Sequence, residues 1–66
     1  MEVVLNGRNE QLEQGINLLA FLLSKKLNPE TIIVEHNERI VIKSEWEGVI
    51  LQDQDRLEVL NFVGGG

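Results

Sequence analysis

The chain has 66 residues, a formal net charge of −5, no cysteine, no tyrosine and one histidine. This length fits one domain with a small core, since such a domain buries only about 60% of its unfolded surface. The missing cysteines exclude a thiol nucleophile, a cysteine-based zinc site and an iron–sulfur cluster, and six scattered basic residues make no phosphate-neutralising patch for nucleic acid. The acidity suits solubility or a basic partner surface. No apolar run approaches the about 18 residues of a membrane span, and no basic-then-apolar leader opens the chain. A cytoplasmic protein with no membrane partner is expected.

Met1 to Leu5 reads as a strand, with Met1, Val3 and Leu5 on one face and Glu2 and Val4 on the other. Asn6-Gly7 follows, a strong hairpin signal because both central residues of a type I′ turn need positive φ. The partner strand is expected over Asn9 to Glu13, with Leu12 facing inward. Asn17 is a good N-cap, and Leu18-Leu19-Ala20-Phe21-Leu22-Leu23 favours a helix through about Leu27. Asn28-Pro29 stops it, and Lys25 and Lys26 lie in its last turn, where the helix dipole favours cations. Two buried stripes fit: Leu18, Phe21, Leu22, or Leu19, Leu22, Leu23.

The β-branched run Thr31 to Glu35 reads as a strand with Ile32 and Val34 on one face. A turn over His36 to Arg39 returns into Ile40-Val41-Ile42. Ser44 and Glu47 have the spacing of a capping box, so a single helical turn is expected to start at Ser44. Val49 to Leu51 is a short apolar piece, Asp53-Gln54-Asp55 a tight turn, and Leu57 to Phe62 the last strand, with Leu57 and Val59 inward. The order predicts an α+β fold, a small mixed sheet with one main helix packed on one face.

The chain closes on Gly64-Gly65-Gly66. Glycines without Cβ atoms can thread a narrow channel and take the backbone angles a partner imposes. Three extended residues reach at most about 10 Å. Frayed ends are also rich in glycine, so the tail alone supports both a delivered carboxylate and an incidental end. Other residues offer little chemistry. His36 has no ligating companion and reads as a solvated turn residue, not a metal site. Trp46 reads as a cap over the edge of the core. Asp53 and Asp55 read as turn residues without a calcium loop.

Three stretches carry a family resemblance: the first strand into Asn6-Gly7; Ser44-Glu45-Trp46 followed by Val49, Leu51 and Asp53-Gln54-Asp55; and Leu57-Glu58-Val59 into Phe62-Val63-Gly64-Gly65-Gly66. Together with the element order they resemble the ThiS family, the sulfur carriers of thiamine biosynthesis, within the β-grasp or ubiquitin-like superfamily. The family often has Asn-Gly where this chain has Asn37-Glu38, and Asp-Gly-Asp where it has Asp53-Gln54-Asp55. Both place a larger residue where positive φ is expected, at a cost of about 1 kcal/mol each.

The resemblance implies that the first and last strands lie side by side at the sheet centre, with residues 1–63 forming the domain and 64–66 a tail. It implies a protein co-substrate, not an enzyme, with no catalytic residue and no bound cofactor or metal. An adenylating partner similar to ubiquitin-activating enzymes would use ATP to activate Gly66. A sulfur-transfer enzyme would supply the donor that converts it to a thiocarboxylate, and a thiazole synthase would receive the sulfur. Gly64 and Gly65 would give Gly66 passage. Leu60 and Phe62 alternate with the inward residues, so with Val4 and Val63 they are the expected docking residues beside the tail. Alternatives are a related carrier (molybdopterin synthase small subunit or protein modifier) and a non-covalent ubiquitin-like interaction module.

Overall fold

The computed structural model describes residues 1–62; the expectations placed on Val63, Gly64, Gly65 and Gly66 lie outside them. Strand β1 (Glu2–Leu5) turns at Asn6-Gly7 into β2 (Arg8–Gln11). Asn6 and Gly7 have φ of 50° and 82°, the left-handed pair a type I′ turn requires. Because that turn is only two residues long, β2 begins at Arg8, one residue before the sequence expectation, and ends at Gln11. Leu12 still packs against the core, and its amide donates to the Met1 carbonyl at 2.9 Å.

Helix α1 (Leu18–Ser24) starts at Asn17, whose Oδ1 accepts the Ala20 amide at 2.7 Å. It ends three residues sooner than the leucine-rich run suggests. Lys26 turns left-handed with φ 60°, and the amides of Lys26 and Leu27 reach back to the carbonyls of Leu23 and Leu22 at 2.9 and 3.3 Å. This pair of bonds is a Schellman stop, made here without glycine. The two lysines therefore lie just past the helix and not in its last turn, and Lys25 Nζ instead pairs with Glu10 of β2 at 2.8 Å. The buried stripe is Leu18, Phe21 and Leu22, while Leu23 is exposed. Asn28 then caps a short 3₁₀ helix, Pro29–Thr31, by accepting the Glu30 amide.

Strand β3 (Ile32–His36) and β4 (Arg39–Val41) are joined by Asn37-Glu38, which have φ of 50° and 72°. A second 3₁₀ helix, Lys43–Gly48, follows. Its N-cap is Ile42, not Ser44: Glu45 Oε1 accepts the Ile42 amide at 3.2 Å, so Glu45, not Glu47, reaches back to the cap. Trp46 lies deeper than an edge cap. It is 1% exposed, and its Nε1–H donates to the Val41 carbonyl at 2.8 Å. The Leu51 amide bonds the Ile16 carbonyl and the Leu18 amide the Val49 carbonyl, which closes the piece before the last strand onto the start of α1.

Strand β5 (Arg56–Asn61) completes a five-stranded sheet in the order β2-β1-β5-β3-β4. It runs parallel to β1 and antiparallel to β3, so the first and last strands are neighbours and β5 is central. This is the expected β-grasp arrangement. One sheet face carries Val3, Ile32, Val34, Leu57 and Val59, which meet Leu18, Phe21, Leu22, Trp46 and Leu51 in one core. The parallel ladder is short, with Val4 opposite Arg56 and Leu5 opposite Leu57. The side chain of Asn6 extends it, because Oδ1 accepts the Val59 amide at 2.7 Å and Nδ2 donates to the Val59 carbonyl at 3.3 Å. Among the described residues no helix is long and apolar enough to cross a membrane.

Candidate functional site

The end of β5 is held by its neighbour. Asn61 pairs with Ile32, and the Phe62 amide donates to the Thr31 carbonyl at 2.9 Å. The strand that leads to the glycines is therefore fixed to within four residues of Gly66. Four extended residues span at most about 14 Å. Leu57 and Val59 point into the core, so Leu60 and Phe62 take the opposite, outer face, where they are 66% and 58% exposed.

The strand register changes which residues of this face gather at the root of the tail. Val4 sits opposite Arg56, four residues before Leu60. At about 3.3 Å per residue, that is about 13 Å from Leu60 and further from Phe62. Val4 shares the outer face but does not converge on the root of the tail. The direct neighbour of Leu60 is Ile33 of β3, exposed at 42%. Alternation in β3 already put Ile33 opposite in direction to Ile32 and Val34, but only the pairing of β3 with β5 places it beside Leu60. Ile40 of β4 and Ile42 add further exposed apolar surface. The apolar group at the root of the tail is Leu60, Phe62 and Ile33. These three exposed apolar side chains are neighbours on one face.

The polar residues serve the scaffold. His36 is not a free turn residue: it ends β3, is partly buried, and its Nε2 lies 2.8 Å from Asp55 Oδ2. Asp55 is 7% exposed and also accepts the Gln52 amide at 2.8 Å and Asn37 Nδ2 at 3.0 Å. Burial alone would raise its pKa, but the Gln52 amide, His36 and Asn37 outweigh it and hold the carboxyl below its usual value. Asn37 Oδ1 in turn accepts the Arg56 amide at 2.8 Å. Asp55 thus ties the β3–β4 hairpin to the start of β5. Asp53 is held below the ordinary range chiefly by the Glu2 amide, which it accepts at 2.8 Å.

A groove of about 330 Å³ lies between β4 and the second 3₁₀ helix, lined by His36, Arg39, Ile40, Val41, Glu45 and Val49. His36 pairs with Leu57 and Ile32 with Asn61, so the His36 wall of this groove lies at the far end of β3 from the tail. The outer face is the surface that could bring a partner to the chain end.

Comparison with known proteins agrees with this geometry. The model of the ThiS family matches residues 2–66. The sulfur carrier protein ThiS of Bacillus subtilis is 36% identical over 63 residues, covering 94% of this chain and 96% of that protein. A thiazole synthase of Magnetococcus marinus is 36% identical over the whole chain, and the chain spans only 20% of its length. The crystal structure of the thiamine biosynthesis protein ThiS from Geobacter metallireducens superposes with a TM-score of 0.86 at 26% identity, with both chains fully covered.

Proposed function

The chain belongs to the ThiS family, and from that membership we propose that it is the sulfur carrier for thiamine thiazole formation, with Gly66 as the residue that is chemically changed. The chemistry starts from a carboxylate, which is a poor electrophile. In the proposed cycle a carboxylate oxygen of Gly66 attacks the α-phosphate of ATP on an adenylating partner, and pyrophosphate leaves. A donor enzyme's persulfide then attacks the acyl carbon and AMP leaves, and a thiol reductant cleaves the S–S bond of the acyl disulfide to release the thiocarboxylate (sulfide itself would give it directly). The resulting thiocarboxylate is a far better nucleophile than the carboxylate, and its sulfur passes to the thiazole ring on a thiazole synthase. The carrier itself contributes no acid or base.

The observation that carries this reading is the position of the apolar group. Leu60, Phe62 and Ile33 lie exposed where the central strand β5, held along β3 as far as Phe62, leads toward the glycines. Covering each of these side chains is worth about 1.5–3 kcal/mol at full burial, so docking there can offset the cost of ordering a short tail in a partner's active site. Gly64 and Gly65 suit a narrow passage to that site. Thiazole synthases that contain a stretch resembling this chain fit a carrier acting with that enzyme, because joining two partners raises their effective concentration.

ATP–pyrophosphate exchange by a purified adenylating enzyme tests the reading. The intact chain is expected to support exchange. A chain lacking Gly65 and Gly66, with unchanged melting, is expected to support none. No exchange with the intact chain would assign it to a non-covalent role, and exchange that survives the deletion would show that Gly66 is not the required carboxylate.

A further inference from the structure

The outer sheet face carries a charge arrangement that the fold does not need. In the β3–β5 register Glu35 lies directly opposite Glu58, one pair along from Ile33 and Leu60 on the same face. Ile40 of β4 is opposite Glu35 on its other side. Directly opposed residues hold their Cβ atoms about 5 Å apart, and like charges so placed destabilise a sheet. The charged side-chain pairs among the described residues are Lys25–Glu10 and Lys43–Glu30, His36 is hydrogen-bonded to Asp55, and neither Glu35 nor Glu58 takes part. Arg56, two residues before Glu58 and exposed on that face, pairs with neither.

We propose that this face docks on a surface of the adenylating partner that presents an arginine or lysine between Glu35 and Glu58, with apolar side chains around it meeting Leu60, Phe62, Ile33 and Ile40. The proposal rests on the carrier reading. A partner that covered the apolar group without a cation would strip water from two adjacent carboxylates and leave them uncompensated, which is strongly unfavourable. One guanidinium can bridge both, because its planar fork presents several donors. The same charges argue against a second copy of this chain as the occupant. A two-fold pairing through this face would bring four carboxylates together on chains that each carry −5. The pair thus selects a basic partner, steers its approach and fixes the register that aims the tail.

The test compares three double variants with the intact chain, by affinity for the purified adenylating enzyme and by thermal melting. Glu35→Gln/Glu58→Gln is expected to melt as high as the native chain or higher, yet bind about tenfold more weakly. Glu35→Lys/Glu58→Lys is expected to bind about a hundredfold more weakly. Glu13→Lys/Glu47→Lys makes the same change of charge outside the strands and is expected to stay within about twofold. Native affinity in both face variants, or an equal loss in the control, overturns the proposal. If the native chain itself does not bind, the carrier reading fails and the docking falls with it. If it binds and both face variants bind as tightly, the docking alone falls.

Discussion

Replacing Asp55 by alanine should remove a large share of the stability of this domain without touching its apolar core. The carboxylate accepts from the Gln52 amide at 2.8 Å, His36 Nε2 at 2.8 Å and Asn37 Nδ2 at 3.0 Å, and is 7% exposed. Hydrogen bonds to a charged group contribute about 1.5–3 kcal/mol each. Gln52 and Asn37 are exposed, so water recovers part of the loss, and about 3 kcal/mol is expected in total. A domain of this size holds only about 3–10 kcal/mol, and the melting temperature should fall by on the order of 15 °C. Urea unfolding followed through Trp46, the single tryptophan and a buried one, reads this directly.

The pH dependence sharpens the test. The folded pKa of Asp55 lies below its unfolded value, so its contribution is complete above the unfolded value, near about 4, and is lost as pH falls through the folded one. The gap between native and Asp55→Ala should be full at neutral pH and narrow as pH falls below about 4 through the folded value. A gap below about 1 kcal/mol at neutral pH, or one that stays constant through the acid range, would refute the assignment of Asp55 as the tie between hairpin and β5.

Asn6→Ala should cost about 2 kcal/mol in urea unfolding, since it strips both Val59 contacts and leaves a non-glycine residue at positive φ. Glu38→Gly and Gln54→Gly should each stabilise by about 0.5–1 kcal/mol by the same measurement, because both residues sit at φ 72°. Leu60→Glu should leave melting within about 0.5 kcal/mol of native, as the side chain is exposed. Adenylation of the same variant, read by pyrophosphate exchange, should fall more than about tenfold.

Local signals in the sequence found most of the scaffold. Asn6-Gly7, Asn17 and the alternation of Leu57 and Val59 act within a few residues of themselves, and the structure places them as their chemistry demands. The helix end was misplaced because Lys26 makes a left-handed stop that glycine usually signals. The capping box shifted because Ser44-x-x-Glu47 and Ile42-x-x-Glu45 overlap, and only the backbone geometry selects the second. What could not be read at all was register. Ile33 beside Leu60, Glu35 facing Glu58, Val4 level with Arg56 and the reach of Asp55 to His36 all join residues distant in sequence. Several plausible β3–β5 registers keep the same inward residues and differ only in these pairs.

The most direct test of the carrier account is the intact mass of the chain after incubation with the adenylating enzyme, ATP, the sulfur-transfer enzyme with its sulfur substrate, and a thiol reductant. The account predicts a gain equal to the exchange of one oxygen for sulfur, mapped by fragmentation to Gly66 and absent when ATP is withheld. An unchanged mass under conditions where the adenylating enzyme is active, or sulfur found on any other residue, would contradict it.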